Sequence, residues 1–175
     1  MARLRYVKTP EQIAEAAASI ENLTSTVQSL KAVYATDAVL ARAVLPKPLK
    51  PTADPYVTAV ISQLTIHFGG GIEFPLGAAT FGVGAIHEGV EGIYQITMPM
   101  NNEVAVVSGR ETYGEPKKLA EIELTRDGNE VAGRVVRMGM PYLELRGTVA
   151  EDLGPRKYTT LSYVFKALPS PEKGK

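Results

Sequence analysis

Two lysines stand side by side at Lys117-Lys118, directly after Pro116 and just before Leu119, Ile122 and Leu124. An arbitrary lysine pair is most often a solvated patch. Here the chain turns apolar straight after the pair, which predicts a strand that draws one of the two amines inward. Burial disfavours the ammonium form and lowers a lysine pKa by up to about 3–5 units, and a neighbouring cation pushes the same way. A lysine left uncharged near neutral pH is a nucleophile towards ketones and aldehydes, with which it condenses to a Schiff base. Imine formation is therefore the candidate chemistry of this stretch.

Other residues could assist. Arg110 and Glu111 read either as an ion pair holding a turn or as a guanidinium that orients a substrate carboxylate. Glu73, Glu88, Tyr94 and Tyr113 are acid/base candidates, with Tyr113 best placed by its nearness to the pair. Met98 and Met100 read as core or pocket lining. His67 and His87 read as solvated neighbours of turns. Two histidines without a third obvious ligand, in a chain with no cysteine, make no metal site. Gly69-Gly70-Gly71 reads as a flexible turn, because no lysine–serine/threonine pair follows to complete a phosphate cradle.

The elements that must position these residues follow from pattern. Thr9-Pro10-Glu11-Gln12 is a capping threonine, a proline at the first helical position and a glutamine three after the cap, and predicts a helix from Pro10 to Glu21. Ser25 to Tyr34 alternates imperfectly and predicts a strand. Thr36 or Asp37 caps a short helix with Val39, Leu40, Ala43 and Val44 as its inner face, ended by Pro46 and Pro48. Strands are predicted at Tyr56–Phe68, Ala78–His87 and Ile93–Met100, with a turn at Glu88-Gly89. Asn101-Asn102 could cap a helix through Val104, Val106 and Val107 to Gly109, although periodicity fits a strand equally. Leu119–Arg126 and Glu130–Met138 form the clearest hairpin, about Asp127-Gly128-Asn129. Pro141–Ala150 and Tyr158–Leu168 are two further strands. The sum is an α+β domain over 1–168, mainly antiparallel β, as a barrel or strongly bent sheet with a few peripheral helices, and 169–175 a polar tail.

Gly109-Arg110-Glu111, a short spacer and Pro116-Lys117-Lys118-Leu119 resemble the active-site signature of the acetoacetate decarboxylase family. A fainter likeness runs from about Leu30 to about Leu124, through Leu45-Pro46-Lys47-Pro48-Leu49, Glu91-Gly92-Ile93-Tyr94 and Asn101-Asn102-Glu103. That family is itself the standing example of a lysine activated by a second cation. The resemblance implies Lys117 as the Schiff-base lysine, Lys118 as its electrostatic neighbour, and Arg110, Glu111, Tyr113 and Met98 around the substrate. It implies a lyase acting on a keto acid or other carbonyl compound, by decarboxylation or by aldol or dehydration chemistry. No cofactor is implied, the protonated imine being the electron sink, and no phosphate-cup motif for pyridoxal phosphate is present.

This chain departs from the family's pattern in three places. Members usually continue past its end with strands that complete a barrel, so an oligomer or a complementing C-terminal segment is expected to cover open edges. The positions of the family's arginine and two glutamates fall near Val27, Val60 and Ala78. Valine cannot donate the paired hydrogen bonds that hold a carboxylate, which points away from acetoacetate as substrate. Glu115 stands where the decarboxylases carry an aromatic residue. Beside the lysines a carboxylate favours the ammonium form; pointing inward, it could carry protons instead. A non-catalytic binding module that keeps the pocket without turnover is the alternative reading.

Composition bounds the rest. The chain has 175 residues, 45% apolar and 22% charged, with formal net charge zero. With no block of like charge, neither nucleic acid nor an anionic membrane is an expected partner. No apolar run approaches the roughly 20 residues of a membrane span. The basic start from Met1 to Thr9 does not read as a signal peptide, and the absence of cysteine fits a cytoplasmic protein.

Overall fold

The protein, seen in a computed structural model, is described over residues 8–21, 23–68 and 71–167. Its elements are α1 (Pro10–Glu21), β1 (Thr24–Ala35), α2 (Ala38–Val44), β2 (Lys50–Pro51), β3 (Tyr56–His67), β4 (Glu73–His87) and β5 (Val90–Met100). They continue with α3 (Glu103–Tyr113), β6 (Lys117–Leu119), β7 (Glu121–Asp127), β8 (Glu130–Arg137), β9 (Met140–Thr148) and β10 (Ser162–Tyr163). The class is α+β with strands dominant, as the pattern predicts.

The long strands form a mixed sheet in the order β1-β3-β4-β5-β10, with β2 paired to β4 and β6 to β5. A second sheet, β7-β8-β9, is antiparallel. The large sheet is not closed into a barrel, so of the two forms expected the bent open sheet is the observed one. Closure needs continuous pairing around the ring, and β5 instead carries two short parallel partners, β6 along Met98–Met100 and β10 along Ile93–Tyr94.

Strand alternation gives the large sheet two faces. On the first, Ile61 and Ala79 meet Ala120, Ile122 and Val135, which brings in the small sheet. Further along the same face, Val57, Val83 and Ala85 pack on Ala41, Leu45 and Leu49 around α2. On the second face Leu76 and Met100 pack against Val106 of α3, with Leu64, Phe74 and Ala105 around them.

Several local expectations are matched closely. The predicted capping box of α1 is reciprocal: the Thr9 N–H donates to Gln12 Oε1 (3.0 Å) and the Gln12 N–H to Thr9 Oγ1 (3.3 Å). Asp37 caps α2, accepting from the Val39 and Leu40 N–H groups. The ambiguous stretch after Asn102 is a helix.

Others are corrected. The inner face of α2 is Ala41, with Leu45 just beyond the helix, whereas Val39 (76% exposed) and Leu40 (62%) face outward. A helix of two turns offers the sheet little surface, and Ala41 is its one residue in the cluster with Val57, Val83 and Ala85. Leu119 stays 53% exposed, and burial begins at Ala120 and Ile122, where the chain crosses to the small sheet. The strand expected over Tyr158–Leu168 reduces to Ser162–Tyr163, paired in parallel with Ile93–Tyr94, and β6 on Met98–Met100 limits its extension beyond Tyr163 along the same edge. Gly69 and Gly70 of the predicted turn, Leu168 and the expected tail at 169–175 lie outside the described residues.

Candidate active site

The site is built by the run from β5 through α3 to β6. Parallel neighbours need a crossover, and α3 supplies it. Its N-cap is Asn102, whose side chain accepts from the Ala105 N–H at 3.1 Å. At the other end Gly114 takes a left-handed backbone (φ 71°), which favours glycine, and donates its N–H to the Arg110 carbonyl at 3.1 Å. Pro116 then returns the chain to the sheet, its carbonyl accepting from the Met98 N–H at 3.0 Å. The register that follows places Met98 beside Lys117 and Met100 beside Leu119.

Lys117 projects under α3. Its Nζ lies 2.7 Å from Glu115 Oε2, and the two side chains are only 15% and 21% exposed. The helix leaves room for them at Gly109, which is buried: a Cβ there would lie 2.6 Å from Lys117 Nζ and would overlap Glu115 Oε2. Glu115 is tied to the same residue, donating its N–H to the Gly109 carbonyl at 3.3 Å. Short charge-assisted contacts of this kind are how ionised groups tolerate partial burial.

Lys118, the next residue on β6, is exposed and by alternation points away from Lys117. Arg110 Nη1 donates to the Lys117 carbonyl at 3.3 Å and so braces β6. Arg110 and Glu111 form no ion pair with each other among the described residues. The Glu111 carbonyl accepts from Lys166 Nζ, which brings the segment after β10 against the end of α3. Tyr113 is 66% exposed. Met98 is half-buried on the face that carries Lys117.

Pairing and alternation also place Val27, Val60 and Ala78 on that face. The three positions at which the resemblance called for an arginine and two glutamates thus do converge on one side of the sheet, but as apolar side chains. The remaining acid/base candidates are elsewhere. Glu73 lies 3.3 Å from His67 at the β3–β4 hairpin, Glu88 is in the β4–β5 turn, and Tyr94 packs in the core beside Val83 and Ala85. Among the described residues no cluster of three or more histidines, cysteines or carboxylates could hold a metal, and no helix is long and apolar enough to cross a membrane. A depression of about 730 Å³ bounded by Asn101, Leu119 and Met138 is lined by neither Lys117 nor Glu115. The amine geometry, and not that depression, marks the site.

Sequence reading assigned no role to two residues near Lys117 or on its face. Gly109 opens the space for the ion pair; the sequence marked it as the first residue of the signature and the end of a possible helix, and gave it no role. Gln95 is 5% exposed, donates Nε2 to Ser162 Oγ at 3.0 Å, and has no partner for Oε1 among the described residues. Nothing in its sequence context distinguishes it.

The profile of the acetoacetate decarboxylase family matches residues 8–175. The chain belongs to that family. A protein of Lactiplantibacillus plantarum described as CLA biosynthesis isomerase is 33% identical over 124 residues, which are 67% of this chain and 42% of that protein. The enduracididine biosynthesis enzyme MppR, solved with the condensation product of pyruvate and imidazole 4-carboxaldehyde, superposes with a TM-score of 0.73 at 19% identity, over 85% of this chain and 64% of that one. An acetoacetate decarboxylase-like enzyme from Sphingomonas wittichii RW1 gives 0.71 at 18% identity, over 87% and 68%. These last two likenesses establish the shared fold. This acetoacetate decarboxylase family member therefore spans less than half the length of the curated relative it matches and about two-thirds of the solved chains.

Proposed function

We propose that Lys117 forms a Schiff base with the carbonyl of a keto acid, in an enzyme that makes or breaks carbon–carbon bonds. The observation that carries this reading is the sheltered amine: Lys117 Nζ sits on the sheet face beneath α3, with Met98 beside it and its side chain 15% exposed. A protonated imine withdraws electrons from the adjoining carbon, so the same intermediate serves decarboxylation, aldol condensation or cleavage, and dehydration. Val27, Val60 and Ala78 supply no group to clamp a β-carboxylate, which favours condensation chemistry over loss of carbon dioxide from acetoacetate. MppR, which shares the fold, has been solved with pyruvate and with a pyruvate condensation product, and pyruvate is accordingly the first substrate to try. In this reading Met98 lines the carbonyl site, Arg110 and Glu111 hold the approach to it, Tyr113 borders its mouth, and Lys118 contributes a screened positive field.

A second reading, a binding module without turnover, is favoured by those same three apolar positions. Borohydride reduction in the presence of pyruvate separates the two. An enzyme of the proposed kind gains one covalent adduct, seen by intact mass and absent from Lys117→Ala; a binding module gains none.

The outer edge of β1 is unpaired among the described residues and carries exposed Val27, Val33 and Tyr34. Such edges invite pairing. A second copy or a complementing segment is proposed to cover it, and light scattering that finds a lone monomer across the micromolar range would count against the copy.

A further inference from the structure

We infer that Glu115 is the proton carrier of imine formation, and that Gly109 is the gap in α3 that lets it reach the reacting nitrogen. The inference rests on the Schiff-base reading of Lys117 and goes beyond it. Condensation of an ammonium with a carbonyl requires two protons to leave nitrogen and end on the departing oxygen as water. Some group must hold a proton between those events.

Glu115 Oε2 is 2.7 Å from Lys117 Nζ, within direct transfer distance. None of the other acid/base candidates is placed there: Glu73 is engaged with His67, Glu88 lies in a turn, Tyr94 is packed in the core, and Tyr113 is exposed at the end of α3. The balance is complete with Glu115 alone. The carboxylate takes one proton from the ammonium, and the free amine bonds to the carbonyl carbon. The second nitrogen proton passes to the new alkoxide, giving a neutral carbinolamine. Glu115 then returns its proton to that hydroxyl, the carbon–oxygen bond breaks, and water leaves. The products are a singly protonated iminium and a carboxylate beside it, with the total charge unchanged.

Gly109 makes this contact possible at little cost to the fold. Any side chain at that position would enter the space of the Lys117 amine and the Glu115 carboxylate, both of them the mobile ends of long side chains. Its retention in mid-helix runs against propensity, since alanine there would favour the helix by about 1 kcal/mol. The competing account is a plain counter-ion that only holds the ammonium, and it predicts the opposite sign. Removing a mere counter-ion ceases to favour the charged amine and speeds imine formation, whereas removing a proton carrier slows it.

The test is the rate of pyruvate-dependent reductive trapping on Lys117, followed by intact mass from about pH 6 to 9. Glu115→Gln is expected to slow trapping about 100-fold near neutral pH, with the residual rate climbing as pH rises and bulk base takes over. Gly109→Ala is expected to slow it in the same direction with an unchanged or raised melting temperature. Because a folding defect could imitate either result, Glu115→Ala is assayed with added formate. A rate that rises with formate concentration supports a missing carboxylate, and one that does not overturns the inference. Trapping by Glu115→Gln as fast as, or faster than, the parent also overturns it while leaving the Schiff base intact. Failure of the parent protein itself to trap overturns both readings.

Discussion

The two faces of the large sheet are made from the same strands and do different work. On one, Ile61 and Ala79 are closed off almost completely against Ile122 and Val135 of the small sheet. On the other, α3 covers only one end, and Val60, Ser62, Ala78 and Met98 stay half-buried on the face that carries Lys117. A strand shows its two sides to different surroundings, so one face can be filled for stability while the other keeps space for a ligand. The contrast also explains why the ion pair of Lys117 and Glu115 is sheltered without being sealed.

The comparison can be broken at its tightest point. Ile61→Ala is expected to lose about 3 kcal/mol of unfolding free energy, because a fully buried branched side chain leaves a cavity. In urea titrations below its transition, trapping on Lys117 should be unchanged. A loss of trapping in the folded protein would show that the faces are not independent. A smaller effect is expected where α3 is anchored. Asn102→Ala removes the cap and should lower stability by about 1 kcal/mol. This change should slow trapping as well, since α3 holds Gly109 over the amine; an unchanged rate would mean that the helix merely covers the face.

The smallest effect concerns Tyr56, at the far end of the Lys117 face, where its ring fills the space a Cβ on Gly84 would take. Burial, and then donation to Glu91 Oε1 at 3.0 Å, push its hydroxyl above the ordinary pKa of 10.0. The folded protein holds this proton more tightly than the unfolded chain. Its contribution is therefore complete below pH 10.0 and is lost as pH rises through the folded value. Tyr56→Phe should make the alkaline fall in melting temperature shallower than in the parent; an identical slope would remove this end of the face from the account.

Much of the scaffold is readable from residue order. The capping box at Thr9 and Gln12 and the hairpin about Gly128 depend on contacts between near neighbours in the chain. The strand runs of β3 to β5 depend on a period that the sequence itself displays. The inner face of α2 was not readable, because in so short a helix the contacts are decided by where Leu45 and Leu49 dock. Nor was the shortness of β10, since its length depends on a pairing with Ile93–Tyr94 on an edge of β5 that it shares with β6.

The site divides along the same line. Residue types and spacing singled out the lysine pair and the proline before it, because imine chemistry needs an amine at the entrance to a core, and the likeness of the run from Gly109 to Leu119 to a known signature pointed to the family. Which amine is sheltered, that Glu115 turns towards it, and that Gly109 makes room were settled by tertiary structure. Those facts arise from α3 lying across β6, a contact between surfaces that no local pattern encodes.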